Sequence, residues 1–127
     1  IDINIRALAI KKHALKLEFS EEGWAEIKAM HSQVVKVASM GINAYDNSEM
    51  CALAIQLKRE LTKIEISYRE NHISRLNRGL RESINTSSIH LDLLSEYRRI
   101  ASLLCNHAYS KTKGIEATPE PTHEDQT

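Results

Sequence analysis

Proline and glycine are scarce in this chain: of 127 residues two are proline, both within the last ten, and four are glycine. That excludes a fold built on tight turns and leaves most of the sequence free of helix breakers. Aromatic residues make up only 5%, and β-branched residues nowhere alternate long enough to write a strand. Cys51 and Cys105 show no CxxC or His/Cys spacing, which points away from a disulfide framework or a zinc site and toward buried, reduced thiols. No run approaches the roughly 18 apolar residues that cross a bilayer, and no signal-peptide pattern opens the chain. An excess of either charge is missing too, since 17 Lys+Arg face 17 Asp+Glu. Without a net field, nothing draws the chain to nucleic acid or to an anionic membrane.

What is present is helix. The hydrophobic fraction of 42% suffices for one core, and the composition predicts a single water-soluble, all-α domain. The first residue is Ile rather than Met, so a piece of a longer product is expected. Residues 1–17 mix Ile3, Ile5, Leu8, Ile10, Leu15 and Leu17 with lysines and an arginine. The pattern predicts a short helix or partly ordered lead-in, amphipathic only from about Arg6, which serves an interface as well as a core.

At Ser20 the pattern sharpens. A serine followed by Glu21 and Glu22 supplies an acceptor for open N–H groups and negative charge at the positive end of a helix dipole. The long helix predicted from there carries Trp24, Ile27, Val34, Val37, Ala38 and Tyr45 on one side, with Met30 and Gly41 in support. YDNSE ends it, with Asn47 or Ser48 as the next cap, and the tightness of that turn makes the two helices antiparallel neighbours. The second long helix shows Met50, Ala54, Leu57, Leu61, Ile64 and Tyr68 at a four-three spacing. Its remaining face, including Glu65 with Arg69 at i,i+4, reads as solvated. The NTSS run at 85–88 offers caps for a third long helix from about Ile89, with Ile89, Leu93, Tyr97, Ile100, Leu104 and Ala108 as its stripe. Three such stripes are unstable singly in water and are expected to pack on one another. The predicted organisation is a lead-in at 1–17, an antiparallel bundle at 18–112 and a disordered acidic tail at 113–127, which contains both prolines.

Chemistry-bearing residues are many, but none assembles a site on spacing alone. His13, His31, His72, His90, His107 and His123 include no i,i+4 pair and no HExxH. His72 and His90 approach one another only if the end of the second long helix faces the start of the third; otherwise surface or helix-end positions are expected. Glu60, Glu65, Glu70 and Glu96 lack the ExxH partners of a di-iron bundle site, and a solvated face accounts for them. Cys105, Asn106 and His107 are adjacent on a helix and point in different directions, so they form no relay. No nucleotide loop or nucleophile elbow is present. Catalysis, cofactors and metal are therefore not expected. Arg98 and Arg99 sit beside the Tyr97/Ile100 stripe, where a guanidinium can reach solvent, a partner acid or an anion.

FSEEGWAEIKAMHSQV, YRENHISRLNRG and SSIHLDLLSEYRRIASLLCNHAY, in this order and at these intervals, resemble the PhoU-like domain. The likeness covers about residues 15–112 and is strongest to the form that follows the membrane region of bacterial sodium/phosphate cotransporter-like proteins. The resemblance implies an antiparallel bundle of long helices, a part in phosphate uptake or its regulation, and frequent self-association. Metal-binding members carry an acidic ExxxD pattern on the last helix, written ERxxD, with a matching acidic pair on the middle helix. Here Arg98 and Ser102 stand at the last-helix positions and Lys58 and Thr62 at the middle-helix ones, so the metal cluster is expected to be lost. The expected role is a non-enzymatic regulatory or assembly domain, cytoplasmic and attached to the inner membrane through an upstream region. Its expected partners are that membrane region, or a phosphate transporter, and further copies of the chain, with no nucleic acid. The alternatives are a free-standing soluble PhoU-like regulator and a helical homodimer that has lost metal binding.

Overall fold

The computed structural model describes residues 2–116, and among these every regular element is helical. Four α-helices follow in order: α1 (Asp2–Ala14), α2 (Glu21–Asn43), α3 (Ser48–Asn77) and α4 (Arg81–Glu116), with a single 3₁₀ turn at Ala44–Asp46. α2, α3 and α4 pack on one another as an antiparallel bundle, and α1 lies against α4 alone. The segment expected as a tail lies, from residue 117 onward, outside the described residues; α4 itself continues through 113–116.

The starts of α2 and α3 follow their capping residues. Gly23 N–H donates to Ser20 Oγ at 3.0 Å, and Glu49 and Met50 N–H donate to Asn47 Oδ1 at 3.0 and 3.3 Å. α3 ends at Gly79, whose φ of +74° suits a residue without Cβ. Leu80 N–H returns to Arg75 O at 3.1 Å and Gly79 N–H to Leu76 O at 2.9 Å, a Schellman closure. α4 then begins at once, with Ile84 N–H already bonded to Leu80 O. It therefore starts eight residues before the predicted Ile89, and NTSS lies inside the helix. Thr86 Oγ1 donates back to Glu82 O at 2.7 Å instead of capping.

The apolar core runs along Met30, Val34 and Val37 of α2, Cys51, Ala54 and Leu61 of α3, and Leu94, Ala101, Cys105 and Ala108 of α4. Three sequence expectations need correction. Trp24 and Tyr45 are 48% and 66% exposed, because the first faces a groove and the second lies in the 3₁₀ turn beyond α2. Ile89 and Ala108 of the predicted α4 stripe are fully enclosed, but between them the stripe is turned by about one residue: Leu94, Ala101 and Cys105 are fully enclosed, whereas Leu93, Tyr97, Ile100 and Leu104 are half-buried. Small Ala101 and Cys105 share the deepest positions with Leu94 where α2 and α4 approach closely. An ideal Cβ on Gly41 would stand 2.7 Å from the Leu104 carbonyl oxygen.

α1 has no buried residue. It is fixed to α4 by Asn4 Nδ2 donating to Glu96 Oε1 at 2.9 Å and Lys11 Nζ donating to Ser88 Oγ at 3.3 Å. Between α1 and α2, above Ile89, Leu93 and Tyr97, a groove of about 770 Å³ remains. Phe19 and Trp24 stack along it with centroids 6.1 Å apart.

Candidate functional site

Because the three helices alternate in direction, the start of α2, the end of α3 and the start of α4 share one end of the bundle. There the apolar stripes turn polar. On α3 the four-three spacing of Ala54, Leu57 and Leu61 shifts by one residue past Leu61 and then runs through Glu65, Tyr68, His72 and Arg75. Glu65, His72 and Arg75 are 2%, 1% and 1% exposed, which corrects the solvated face expected for Glu65 and the surface or helix-end position expected for His72. α4 contributes Ser83, Thr86 and His90, all buried, and α2 contributes Glu26.

Glu26 and Arg75 form the centre. Arg75 Nη1 and Nη2 donate to Glu26 Oε1 and Oε2, each at 3.0 Å, the paired-fork geometry in which a guanidinium matches a carboxylate. Asn71 Nδ2 donates to Glu26 Oε1 at 3.1 Å. Behind this pair His72 and His90 stack nearly parallel, with centroids 4.5 Å apart and planes 12° from each other. His72 Nε2 is 3.0 Å from Ser87 Oγ, His90 Nε2 is 3.7 Å from Glu26 Oε2, and the Phe19 ring meets His90 edge-on. The approach of the two histidines thus occurs, and both are enclosed rather than on the surface.

Burial is the main force on their protonation. His90 is pushed down to about 3 by loss of solvation, reinforced by His72, Arg75 and Arg69. His72 is also lowered, by burial first and Arg75 second, with Glu26 opposing. Both imidazoles are neutral at neutral pH. Burial, with help from Glu26, raises the Tyr68 phenol.

Earlier on α3, toward the middle of the bundle, lies a second ionic group. Arg69 bonds Glu65 on its own helix, donates to Leu91 O at 3.3 Å, and reaches Ser95 Oγ on α4. Arg98 approaches the other Glu65 oxygen at 3.4 Å, so one buried carboxylate holds cations from α3 and α4. Arg98 therefore pairs across the bundle while about half of its side chain stays exposed; Arg99 is exposed.

The four positions aligned with the acidic metal motif do not suit a metal ion. Lys58 Nζ sits over the Tyr109 ring, 4.7 Å from its centroid, and Thr62 Oγ1 donates to Lys58 O at 3.1 Å. With Arg98 engaged by Glu65 and Ser102 half-buried, they bring two cations and two hydroxyls. The stacked histidines do not substitute, since rings in nearly parallel planes aim their nitrogens side by side rather than at one point. Among the described residues no three His, Cys, Asp or Glu side chains converge as a metal would need. Burial raises the Cys105 thiol, although Lys58 opposes this, and Cys105 approaches Ala54 O at 3.8 Å; Cys51 lies 3.2 Å from Ala44 O.

Glu26, Asn71 and Arg75 were not singled out from the sequence. The available signal was the unbroken four-three spacing through Leu61, Glu65, Tyr68, His72 and Arg75. A buried arc is set by spacing and continues wherever polar residues can satisfy one another.

The chain is similar to two curated proteins that bear the name "Putative inorganic phosphate export protein YjbB". It is 33% identical to the one from Salmonella typhimurium (strain LT2) and 31% identical to the one from Escherichia coli (strain K12), over 106 residues in each case. The matched region is 81% of this chain but 19% of each relative, so the chain spans about a fifth of the length of the curated relatives it matches. No family model matches the chain, and no solved structure matches it. Among the described residues no helix is long and apolar enough to cross a membrane.

Proposed function

We propose that this chain is a PhoU-like, non-enzymatic regulatory or assembly domain of a sodium/phosphate cotransporter-like membrane protein. It acts by presenting helix faces to the membrane region of that protein or to further copies of itself. The observation that carries this reading is the similarity along 81% of the chain to proteins named for inorganic phosphate export. The geometry agrees: the FSEEGWAEIKAMHSQV, YRENHISRLNRG and SSIHLDLLSEYRRIASLLCNHAY blocks supply Glu26, Asn71 with His72 and Arg75, and His90, which meet in one cluster. Such a cluster fixes three helix ends in register and leaves the outer faces, including the Phe19–Trp24 groove, for contact. The domain works on the cytoplasmic side, tethered to the inner membrane by a region outside this chain.

Radiolabelled phosphate flux in cells carrying the native full-length gene tests the proposal, with Trp24→Glu placing a charge on the exposed rim of the groove. A changed flux with an unchanged protein level is expected. Flux that stays the same when residues 18–112 are deleted and the membrane region still accumulates would overturn it.

A further inference from the structure

A second pocket, about 350 Å³, opens beside the Glu26–Arg75 pair and is lined by Glu22, Glu26, Asn71, Ser74, Arg75 and Arg78. Its inner wall is rigid. Arg75 is 1% exposed and locked by Glu26, yet that fork uses one N–H from each terminal nitrogen, and Nε has no partner. A guanidinium carries five N–H donors, so donors remain beyond the fork. The outer wall is open to solvent by comparison. Arg78 and Glu22 are 63% and 64% exposed in their side chains. Glu22 Oε2 stands 3.7 Å from Arg75 Nη1 and 3.6 Å from Arg78 Nη2, too far for a hydrogen bond to either.

A carboxylate between two guanidinium groups without a close bond to either occupies the position of an exchangeable anion. When Glu22 turns to solvent, two arginines face the single carboxylate of Glu26, and the lining carries one net positive charge. Ser74 and Asn71 supply neutral polar groups beside it. We propose that this pocket binds a tetrahedral oxyanion, inorganic phosphate, between Arg75 and Arg78, with Glu22 as the tethered occupant that the ion displaces. The cradle follows from the geometry; the choice of phosphate among oxyanions rests on the phosphate-linked function proposed above.

Because Glu22 competes with the ion, its removal strengthens binding. The two long contacts it gives up, one to buried Arg75 and one to exposed Arg78, correspond to a roughly three- to tenfold gain in phosphate affinity. Titration of inorganic phosphate into the isotopically labelled 127-residue chain at low ionic strength, followed by NMR at the Asn71 side-chain amide and the Ser74 and Arg78 N–H groups, measures this. A saturable shift is expected in the native chain, tighter in Glu22→Gln and lost in Arg78→Gln, a change at an exposed site that leaves the buried pair in place. No saturable shift in Glu22→Gln, or the same shift with chloride at matched ionic strength, overturns the pocket. An equal response to sulfate overturns the assignment to phosphate. If the pocket fails while cellular phosphate flux still depends on the domain, only this inference falls.

Discussion

Removing the Glu26 carboxylate strands the Arg75 guanidinium, an enclosed cation whose two terminal nitrogens both end on it. Arg75 is enclosed and Glu26 is only 12% exposed, so water replaces the lost partner poorly, and the loss is set less by the attraction than by the charge left behind. Glu26→Gln is expected to lower unfolding stability by about 3 kcal/mol, read from urea midpoints at constant slope. Arg75→Met alone costs a similar amount, because it leaves Glu26 facing His90 without its cation. The double change is expected to cost clearly less than the two single losses added, since no charge is then orphaned. Full additivity would mean that the two residues do not act as a pair. Glu65 follows the same logic on a smaller scale: with Arg69 on one oxygen and Arg98 on the other, a buried acid is tolerated because two helices answer it.

Between elements, the approach of α2 to α4 depends on Gly41. An added Cβ there meets a backbone carbonyl oxygen, which has no side-chain torsion by which to move away, so the helices must separate. Gly41→Ala is therefore expected to destabilise by about 1–3 kcal/mol, although alanine in an open helix would gain close to 1. A rise in the thermal midpoint would show that the contact is softer than the geometry indicates. Gly41 could be recognised only as part of the α2 stripe; its reason lies in a residue more than sixty positions away. What was legible in the sequence was local: Ser20 and Asn47 announced their helices because a cap acts within three residues of itself. The NTSS run misled because Thr86 and Ser87 face a polar interior that no local rule reveals, and Ser87 meets His72 only after α3 has folded back. The phase of α4 slipped for a related reason. Leucine and tyrosine draw attention, whereas Ala101 and Cys105 are small enough to take the close axis.

Over the whole bundle, the interior changes character from end to end. Ala44, Cys51, Cys105 and Ala108 close one end without charge, while Glu26, His72, Arg75 and His90 close the other. An apolar core loses little between neutral and mildly acid pH, so the acid response of the molecule is concentrated at the polar end. The sign follows from the histidines. In the unfolded chain each binds a proton near pH 6.5. In the folded chain His90 binds one only near pH 3, and His72 is displaced in the same direction. The unfolded state therefore holds more protons throughout that interval, and the stabilisation present above pH 6.5 drains away as the pH falls. For His90 alone the loss between pH 6 and 5 is about 1 kcal/mol, and His72 adds to it. Urea unfolding at pH 7, 6 and 5 measures the slope, and the comparison with His90→Asn isolates it, because most carboxylates stay ionised over this range. The variant is expected to be less stable at pH 7 but to lose less on acidification, so that the two curves converge toward pH 5. Parallel curves would place the acid sensitivity elsewhere and deny that the stacked imidazoles are held neutral by the fold.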